Sequence, residues 1–206
     1  MRFPMAVAAL LAFPIAATAA PTGPEIALRT AYAVPLGEVV SDLGIRDVTS
    51  GGIPVWIDVG YRFTPKLYAG LYGSYGFLFA GTCGAGNDCS QHDVRVGGDL
   101  QFHLTPDARF DPWFGIGIGY EWLTYSEVRS TAGQEATVRG LESFMLQGGV
   151  HAAVAPGLRL GPFAAVSLGT YTDGSTSGIL GSSSGSLTDR RPHFWLTFGF
   201  RGAFNP

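Results

Sequence analysis

Side chains that could form a catalytic site are few in this sequence, and they lie in two short polar stretches. Ser90, His92 and Asp93 bring a hydroxyl, an imidazole and a carboxylate close together in the chain, and these are the residue types of a hydrolytic triad. Residues 181–185 read Gly-Ser-Ser-Ser-Gly, which matches the pattern of a nucleophile elbow. Neighbouring positions rarely converge on one point, and an elbow needs a strand-turn-helix context. We therefore expect no catalytic residues and no enzyme.

The cysteines offer a second kind of chemistry. Cys83 and Cys89 are the chain's two cysteines and are separated by a short polar segment. In an exported protein such a pair predicts a local disulfide. A metal site would need two more ligands, for which His92 and Asp93 are weak candidates. We expect a disulfide, no metal and no cofactor.

The start of the chain indicates export. Arg2 precedes an apolar stretch, and Ala17-Thr18-Ala19 forms a small-residue cleavage site, as in a secretory signal peptide. No later segment has an apolar run of 18 residues, so we expect no transmembrane helix after residue 19. The predicted division is a signal peptide at residues 1–19 and one domain at residues 20–206.

Composition narrows the class of this domain. The 206 residues are 46% apolar and 14% charged, with 30 glycines, whereas about 25% charged residues is usual. The net charge is −3, and no run of Lys and Arg is interleaved with aromatic residues. Nucleic acid is therefore not an expected partner.

Bulky apolar side chains alternate with small or polar ones in eight segments, which predicts β-strands. The repeat is sharpest where Phe114, Ile116 and Ile118 alternate with glycines. Short turn-forming connectors alternate with long polar ones, so we expect antiparallel neighbours with four long loops at one rim. The predicted strands are residues 25–35, 53–63, 67–79, 93–104, 112–124, 143–154, 158–170 and 193–204. The predicted loops are residues 37–52, 80–92, 125–142 and 171–191.

The residue types on the two faces of these strands distinguish a soluble barrel from a membrane barrel. An eight-stranded barrel has an interior just wide enough for side chains to fill, so it cannot hold all the bulky residues. Glycine weakens a strand and has no evident purpose on a face exposed to water. Strands of about 10–12 residues suit a tilted membrane crossing, and closure pairs every backbone polar group. The sequence therefore predicts an all-β, eight-stranded, antiparallel up-and-down transmembrane β-barrel.

Together with the signal peptide and the alternating connectors, residues 112–122 and 195–204 resemble small bacterial outer-membrane β-barrels of the OmpA, OmpX and OmpW-like kind. The resemblance implies a Gram-negative outer-membrane location and contact with outer-membrane lipid. It also implies recognition of the C-terminal strand by the outer-membrane assembly machinery. We expect a monomer.

Charged residues on the small faces are predicted to line the lumen. Buried charges must be paired, so a side-chain plug is expected; the alternative is a narrow conducting path that prefers anions. The predicted lumen residues are Arg29, Asp58, Arg62, Arg95, Asp99, Glu121, Arg159 and Arg201.

The function expected from these features is structural or surface recognition through the long loops, which would face the cell exterior. A porin-like channel for small hydrophobic or anionic solutes is one alternative. Because some barrels of this kind modify lipid A, a lipid A-modifying enzyme that uses Ser90, His92 and Asp93 is another.

Overall fold

A computed structural model describes residues 22–41, 43–81, 83, 88–129, 132–179 and 181–206. The predicted signal peptide lies outside the described residues. Within them, ten strands and one short helix follow one another along the chain. The elements are β1 (Gly23–Val40), β2 (Leu43–Gly44), α1 (Ile45–Val48), β3 (Thr49–Arg62), β4 (Leu67–Ala80), β5 (Asp88–His103), β6 (Phe110–Arg129), β7 (Ala132–Ala155), β8 (Leu158–Gly178), β9 (Gly181–Ser186) and β10 (Pro192–Phe204).

Eight strands of this described part form a closed antiparallel ring in the order β10, β1, β3, β4, β5, β6, β7 and β8. Pairing of β8 with β10 closes it. The seam between β1 and β10 runs from Ile26 opposite Phe204 to Gly37 opposite His193. The predicted eight-stranded antiparallel barrel is confirmed. No helix in the described ranges is long and apolar enough to cross a membrane.

The predicted loops are wrong in their extent. The sequence predicts a loop at residues 125–142, but β6 continues to Arg129 and β7 begins at Ala132. Beyond the ring, β8 pairs with β9, so β6, β7, β8 and β9 form a sheet that projects past the barrel. Apolar alternation ends where a strand no longer has an apolar face, whereas backbone pairing needs no particular side chains.

The two faces of the ring have opposite character. Large apolar side chains point outward; Leu71 is 71%, Phe200 66% and Leu28 60% exposed. Charged and polar side chains point inward and are buried. The outward face is a continuous apolar band of the kind that meets lipid in membrane barrels.

An apolar layer of buried side chains lies across the middle of the lumen. This middle layer consists of Ala31, Trp56, Tyr72, Trp113, Met145 and Phe163. Tyr72 fits because glycines face it: a Cβ at Gly97 or Gly119 would lie 2.5 Å or 2.4 Å from atoms of the phenol. These two glycines, Gly97 on β5 and Gly119 on β6, therefore make room for a large aromatic ring inside the barrel.

The mouth at the long-connector end is covered by α1. Ile45 has 0% exposure, and it packs with Val39, Leu123, Tyr171 and Trp195. Arg46 Nε donates to the Pro35 carbonyl at 3.1 Å, and Gly81 N donates to the Val48 carbonyl at 3.1 Å. We call Ile45 and its apolar neighbours the mouth plug.

Candidate functional site: the polar lumen

All eight residues predicted to line the lumen lie on inward faces. Seven are buried, and Arg159 is half-buried near the short turns. The structure divides them and their partners into two groups along the barrel axis. The turn-end cluster lies toward the short turns, and the loop-end cluster lies toward α1. The middle layer lies between them along the strands.

Arg29 and Asp58 form the centre of the turn-end cluster. The Arg29 guanidinium donates to both Asp58 oxygens, each at 2.7 Å. It also contacts Asp99 at 3.3 Å and donates to the Gln147 amide oxygen. These four side chains come from β1, β3, β5 and β7, and they meet across the lumen because inward positions recur at every second residue of each strand. Two parallel N–H···O bonds fix the orientation of the Arg29–Asp58 pair.

A second guanidinium extends this network to the rim. Arg201 contacts Asp58 at 3.3 Å and Glu25 at 3.1 Å. Glu25 is also paired with Arg62 at 2.6 Å. The ion pairs therefore run without a break from Asp99 through Asp58 and Glu25 to the short-turn rim.

His103, Asp111 and His151 lie beside this chain of ion pairs and are fully buried. One ligand-type atom from each lies within 4.8 Å of the others, and His103 Nδ1 is 2.7 Å from Asp111 Oδ2. Three guanidiniums border the group: Arg62 at 3.2 Å from His103, Arg201 at 3.3 Å from His151, and Arg159 at 3.3 Å from Asp111. Their positive charge opposes a metal cation, so the arrangement fits an extension of the ion-pair network better than a metal centre.

Arg95 is the centre of the loop-end cluster. Its guanidinium contacts Asp93 at 2.7 Å, Glu142 at 3.3 Å and Glu121 at 3.5 Å. It lies 4.8 Å from the ring of Trp195, at cation–π distance. One cation thus faces three carboxylates.

Glu121 receives further hydrogen bonds in this cluster. Its Oε1 accepts from the Tyr171 hydroxyl at 2.7 Å and from Trp195 Nε1 at 3.1 Å. Its Oε2 lies 3.0 Å from His193 Nε2, and His193 stacks on Tyr171 at 4.1 Å between ring centroids. Glu121 is therefore held by four side chains around one carboxylate.

The two clusters differ in charge balance. Among the described residues, the turn-end cluster has four guanidiniums (Arg29, Arg62, Arg159 and Arg201) and four carboxylates (Glu25, Asp58, Asp99 and Asp111). The loop-end cluster has one guanidinium and three carboxylates. The first network is neutral by formal charge, and the second carries a carboxylate excess.

Sequence reasoning missed four of these carboxylates. Glu25 and Asp93 share the inward register of Arg29 and Arg95, so the same alternation could have identified them. Asp111 immediately precedes the fifth predicted strand, residues 112–124. Glu142 is different: a register shift between Glu142 and Phe144 lets both Glu142 and Met145 face inward, and simple alternation fails across it.

The residues of the predicted catalytic alternative do not converge on one point in the structure. Asp93 points inward to Arg95, whereas His92 stacks on Tyr75, an exposed residue of the outer face. Ser90 is exposed. Residues 181–185 lie in β9, paired with β8, and not in a strand-turn-helix elbow. Ser90, His92 and Asp93 therefore form no triad.

Cys83 and Cys89 are joined by a disulfide, with their Cα atoms 6.1 Å apart. Cys89 Sγ also lies 3.3 Å from the Tyr125 hydroxyl. Residues 84–87 between the cysteines lie outside the described residues. The bond holds the connector between β4 and β5 to the start of β5.

No protein-family model and no curated protein matches this chain. Solved structures do match over most of its length. Neisserial surface protein A is 15% identical with a TM-score of 0.54, covering 87% of this chain and 96% of that one. A major outer-membrane protein from Thermus thermophilus is 12% identical with a TM-score of 0.55, covering 88% and 98%. OprG from Pseudomonas aeruginosa is 12% identical with a TM-score of 0.50, covering 90% and 98%.

The chain has the fold of the small outer-membrane β-barrels. The predicted resemblance is confirmed at the level of fold, and the matches support the expected bacterial outer-membrane location. At this level of identity, the likeness concerns architecture.

Proposed function

We propose that the protein is an integral barrel of the bacterial outer membrane with a closed interior and a non-enzymatic role. Residues 1–19 would direct export, and residues 20–206 would form the barrel. In this proposal the C-terminal strand β10 is recognised by the outer-membrane assembly machinery, and the protein works as a monomer. Its role is structural or surface recognition through the projecting connectors.

The occupied lumen is the observation that carries this proposal. The ion pairs of the turn-end cluster connect β1, β3, β5 and β10, the middle layer fills the centre with aromatic rings, and the mouth plug covers the other end. A solute would have to separate buried ion pairs, which costs several kcal/mol for each charge left unpaired. The arrangement favours the plug over the narrow anion path.

The outward face supports membrane insertion. In water such a large exposed apolar band would cause aggregation, while in lipid it is the preferred exterior. Ring closure also leaves no open edge in the membrane-facing part, as a bilayer requires. Lipid is therefore the proposed partner of this face.

The projecting sheet is the proposed recognition surface. All six residues of β9 are exposed, and an adjacent groove is lined mainly by hydroxyl side chains of β8 and β9 together with Glu135 and Thr137. Binding residues commonly lie on segments that a rigid scaffold presents. The ring supplies that scaffold.

Conductance in planar bilayers tests the closed interior. We expect the refolded protein to give no steady current above that of the lipid alone, because buried ion pairs, the middle layer and the mouth plug occupy the lumen one after another. Bilayers that receive detergent without protein are the control. Steady, unitary current steps would refute the closed barrel, and a preference for anions in those steps would favour the alternative channel.

Labelling of whole cells tests which end is outside. Ser177 lies in the projecting sheet and Lys66 in a short turn at the opposite end, and both are exposed. A membrane-impermeant maleimide should label Ser177→Cys in intact cells and Lys66→Cys only after the outer membrane is permeabilised. Equal labelling of both variants in intact cells would contradict the proposed orientation.

A further inference from the structure

The outward face of β6, β7 and β8 changes character where these strands leave the ring. Inside the ring this face is apolar, and on β6 it ends with Tyr120 and Trp122, whose rings lie 4.6 Å apart. Aromatic residues in such positions mark the interface between lipid tails and headgroups in membrane barrels. From Trp122 onward the partners across the sheet are polar. The three outward rows, each read from β6 to β9, are Trp122, Arg139, Asp173 and Ser186; Thr124, Thr137, Ser175 and Ser184; and Ser126, Glu135, Ser177 and Ser182.

The inward face of the same strands changes in the opposite sense. Inside the ring it carries the charged clusters, whereas Leu123 and Val138 lie opposite each other beyond the loop-end cluster and pack with the mouth plug. The following row continues with Tyr125 opposite Ala136. The two faces have therefore exchanged polarity just above the aromatic rings, and the hydroxyl-rich side is the one that faces away from the barrel axis.

The two outermost of these rows form a groove on the outward face. Its volume is about 340 Å³, and seven Ser and Thr residues and Glu135 line it. A hydroxyl group can both donate and accept a hydrogen bond, and a short side chain loses less rotamer freedom on binding than a long one does. These properties suit a ligand that presents many hydroxyl groups of its own, which is the chemistry of a saccharide.

The height of the groove above the lipid indicates where such a saccharide would come from. Ser175 and Ser177 lie two and four residues beyond Asp173 on β8, and therefore about 7 Å and about 13 Å farther along the strand. The headgroup region on each side of a bilayer is roughly 5–8 Å thick. The groove is continuous with the lipid-facing band below it, so at this height it faces the headgroups of the neighbouring lipids.

We propose that this outward groove binds the saccharide part of the glycolipids that surround the barrel in the outer leaflet. Ser175 and Ser177 exchange hydrogen bonds with sugar hydroxyls, and the Glu135 carboxylate accepts from them. Below the groove, Arg139 is exposed opposite Trp122, where a guanidinium can pair with a phosphate or carboxylate of the glycolipid. The inference deepens the proposed recognition role, and it rests on the proposed location of the projecting sheet outside the cell.

Cysteine accessibility tests the contact in a membrane. Ser182 and Ser183 are neighbours on β9 and are both exposed, but the register places them on opposite faces. In phosphatidylcholine vesicles, a membrane-impermeant maleimide should react with Ser182→Cys and Ser183→Cys at similar rates. In vesicles that contain lipopolysaccharide with a complete saccharide core, the reaction of Ser182→Cys should become several times slower, and that of Ser183→Cys should not change.

Vesicles that contain lipid A alone separate the saccharide from its lipid anchor. They present acyl chains and phosphates without the core sugars, so the two cysteine variants should again react at similar rates. An equal slowing of Ser182→Cys by lipid A alone would assign the contact to phosphate or acyl chains and would overturn the proposal.

Removal of hydroxyl groups tests the groove itself. The probe is the core oligosaccharide released from lipid A, titrated by calorimetry into the refolded protein in a non-ionic detergent. The double variant Ser175→Ala and Ser177→Ala should bind about tenfold more weakly, as expected for the loss of two hydrogen bonds. The matched control is Thr176→Val with Ser183→Ala, which removes two hydroxyls 3.2 Å apart from the inward face of the same strands and should bind as the wild type does.

Two further results would overturn the saccharide site. One is an unchanged affinity of the double variant of Ser175 and Ser177, and the other is an equal effect of the control variant. Whole-cell labelling of Ser177→Cys judges the orientation separately. If that cysteine is labelled in intact cells and the oligosaccharide does not bind, the saccharide partner is refuted while the proposed role stands. If it is labelled only after permeabilisation, the orientation is refuted together with this inference.

Discussion

The turn-end and loop-end clusters line the same lumen, but their buried carboxylates have different partners. In the turn-end cluster, each carboxylate meets at least one guanidinium, and Asp58 meets two, Arg29 and Arg201. In the loop-end cluster, one guanidinium is shared by three carboxylates, and Tyr72, Tyr171 and Trp195 supply hydrogen bonds in place of cations.

This difference indicates different tasks. A balanced network gains nothing from an added ion and loses much when one member is removed. A network with a carboxylate excess tolerates the loss of one carboxylate better, because the loss relieves repulsion between like charges. The turn end therefore depends on every member of its network, and the loop end depends less on any single carboxylate.

The largest effect is expected at the centre of the turn-end cluster. Asp58→Asn removes the charge that faces Arg29 and Arg201, and breaking a buried pair in this way costs about 3–5 kcal/mol. Urea unfolding of the protein in lipid vesicles should show this loss in the free energy of unfolding. Asp173→Asn, outside the ring, is the control and should change little. A small loss for Asp58→Asn would mean that the network is not the main internal support.

A smaller and more local effect is expected at the mouth plug. Ile45→Ala removes a fully buried side chain, and such changes cost about 2 kcal/mol or more. Because α1 has only four residues, we expect local opening: hydrogen exchange should become faster at residues 193–197 and stay unchanged at residues 109–115. Ile179→Ala, at a residue that is 71% exposed, should leave both segments unchanged. Faster exchange at the turn end would show that the two ends are not independent.

The smallest effect is expected for a carboxylate of the loop-end cluster. Glu142→Gln keeps an oxygen for Arg95 and an amide near the Tyr72 hydroxyl, and it relieves the carboxylate excess. The free energy of unfolding should fall by less than about 1 kcal/mol, measured as for Asp58→Asn. A loss equal to that of Asp58→Asn would remove the distinction between the clusters.

The sequence predicted the structure best in the strands whose neighbouring residues face lipid and lumen in turn, because lipid favours bulky apolar side chains and the lumen favours small or polar ones. In the segment of Phe114, Ile116 and Ile118, this contrast predicted both the strand and the direction of each side chain. The same alternation placed Arg29, Asp58 and Arg201 in the lumen. Which of them contact each other depends on the stagger between strands, and alternation within one strand does not contain that information.

The remaining errors have identifiable physical causes. The strands beyond the apolar band carry Ser, Thr, Gly and Glu, so β9 and the hairpin of β6 and β7 gave no periodic signal. The irregularity at Glu142 shifts the inward register by one residue. The mouth plug depends on Ile45, one of several apolar residues in the connector between β1 and β3, and its burial requires the whole ring.

The seam between β1 and β10 also has a kinetic consequence. The ion pair of Glu25 and Arg201 joins residues separated by 176 positions in the chain, and contacts at such separation form late because loop closure has an entropic cost. Until β10 arrives, β1 has one side without a partner and the turn-end network lacks Arg201. Barrel closure and charge neutralisation should therefore occur in one concerted final step, and a stalled intermediate would expose both an open strand edge and an uncompensated carboxylate.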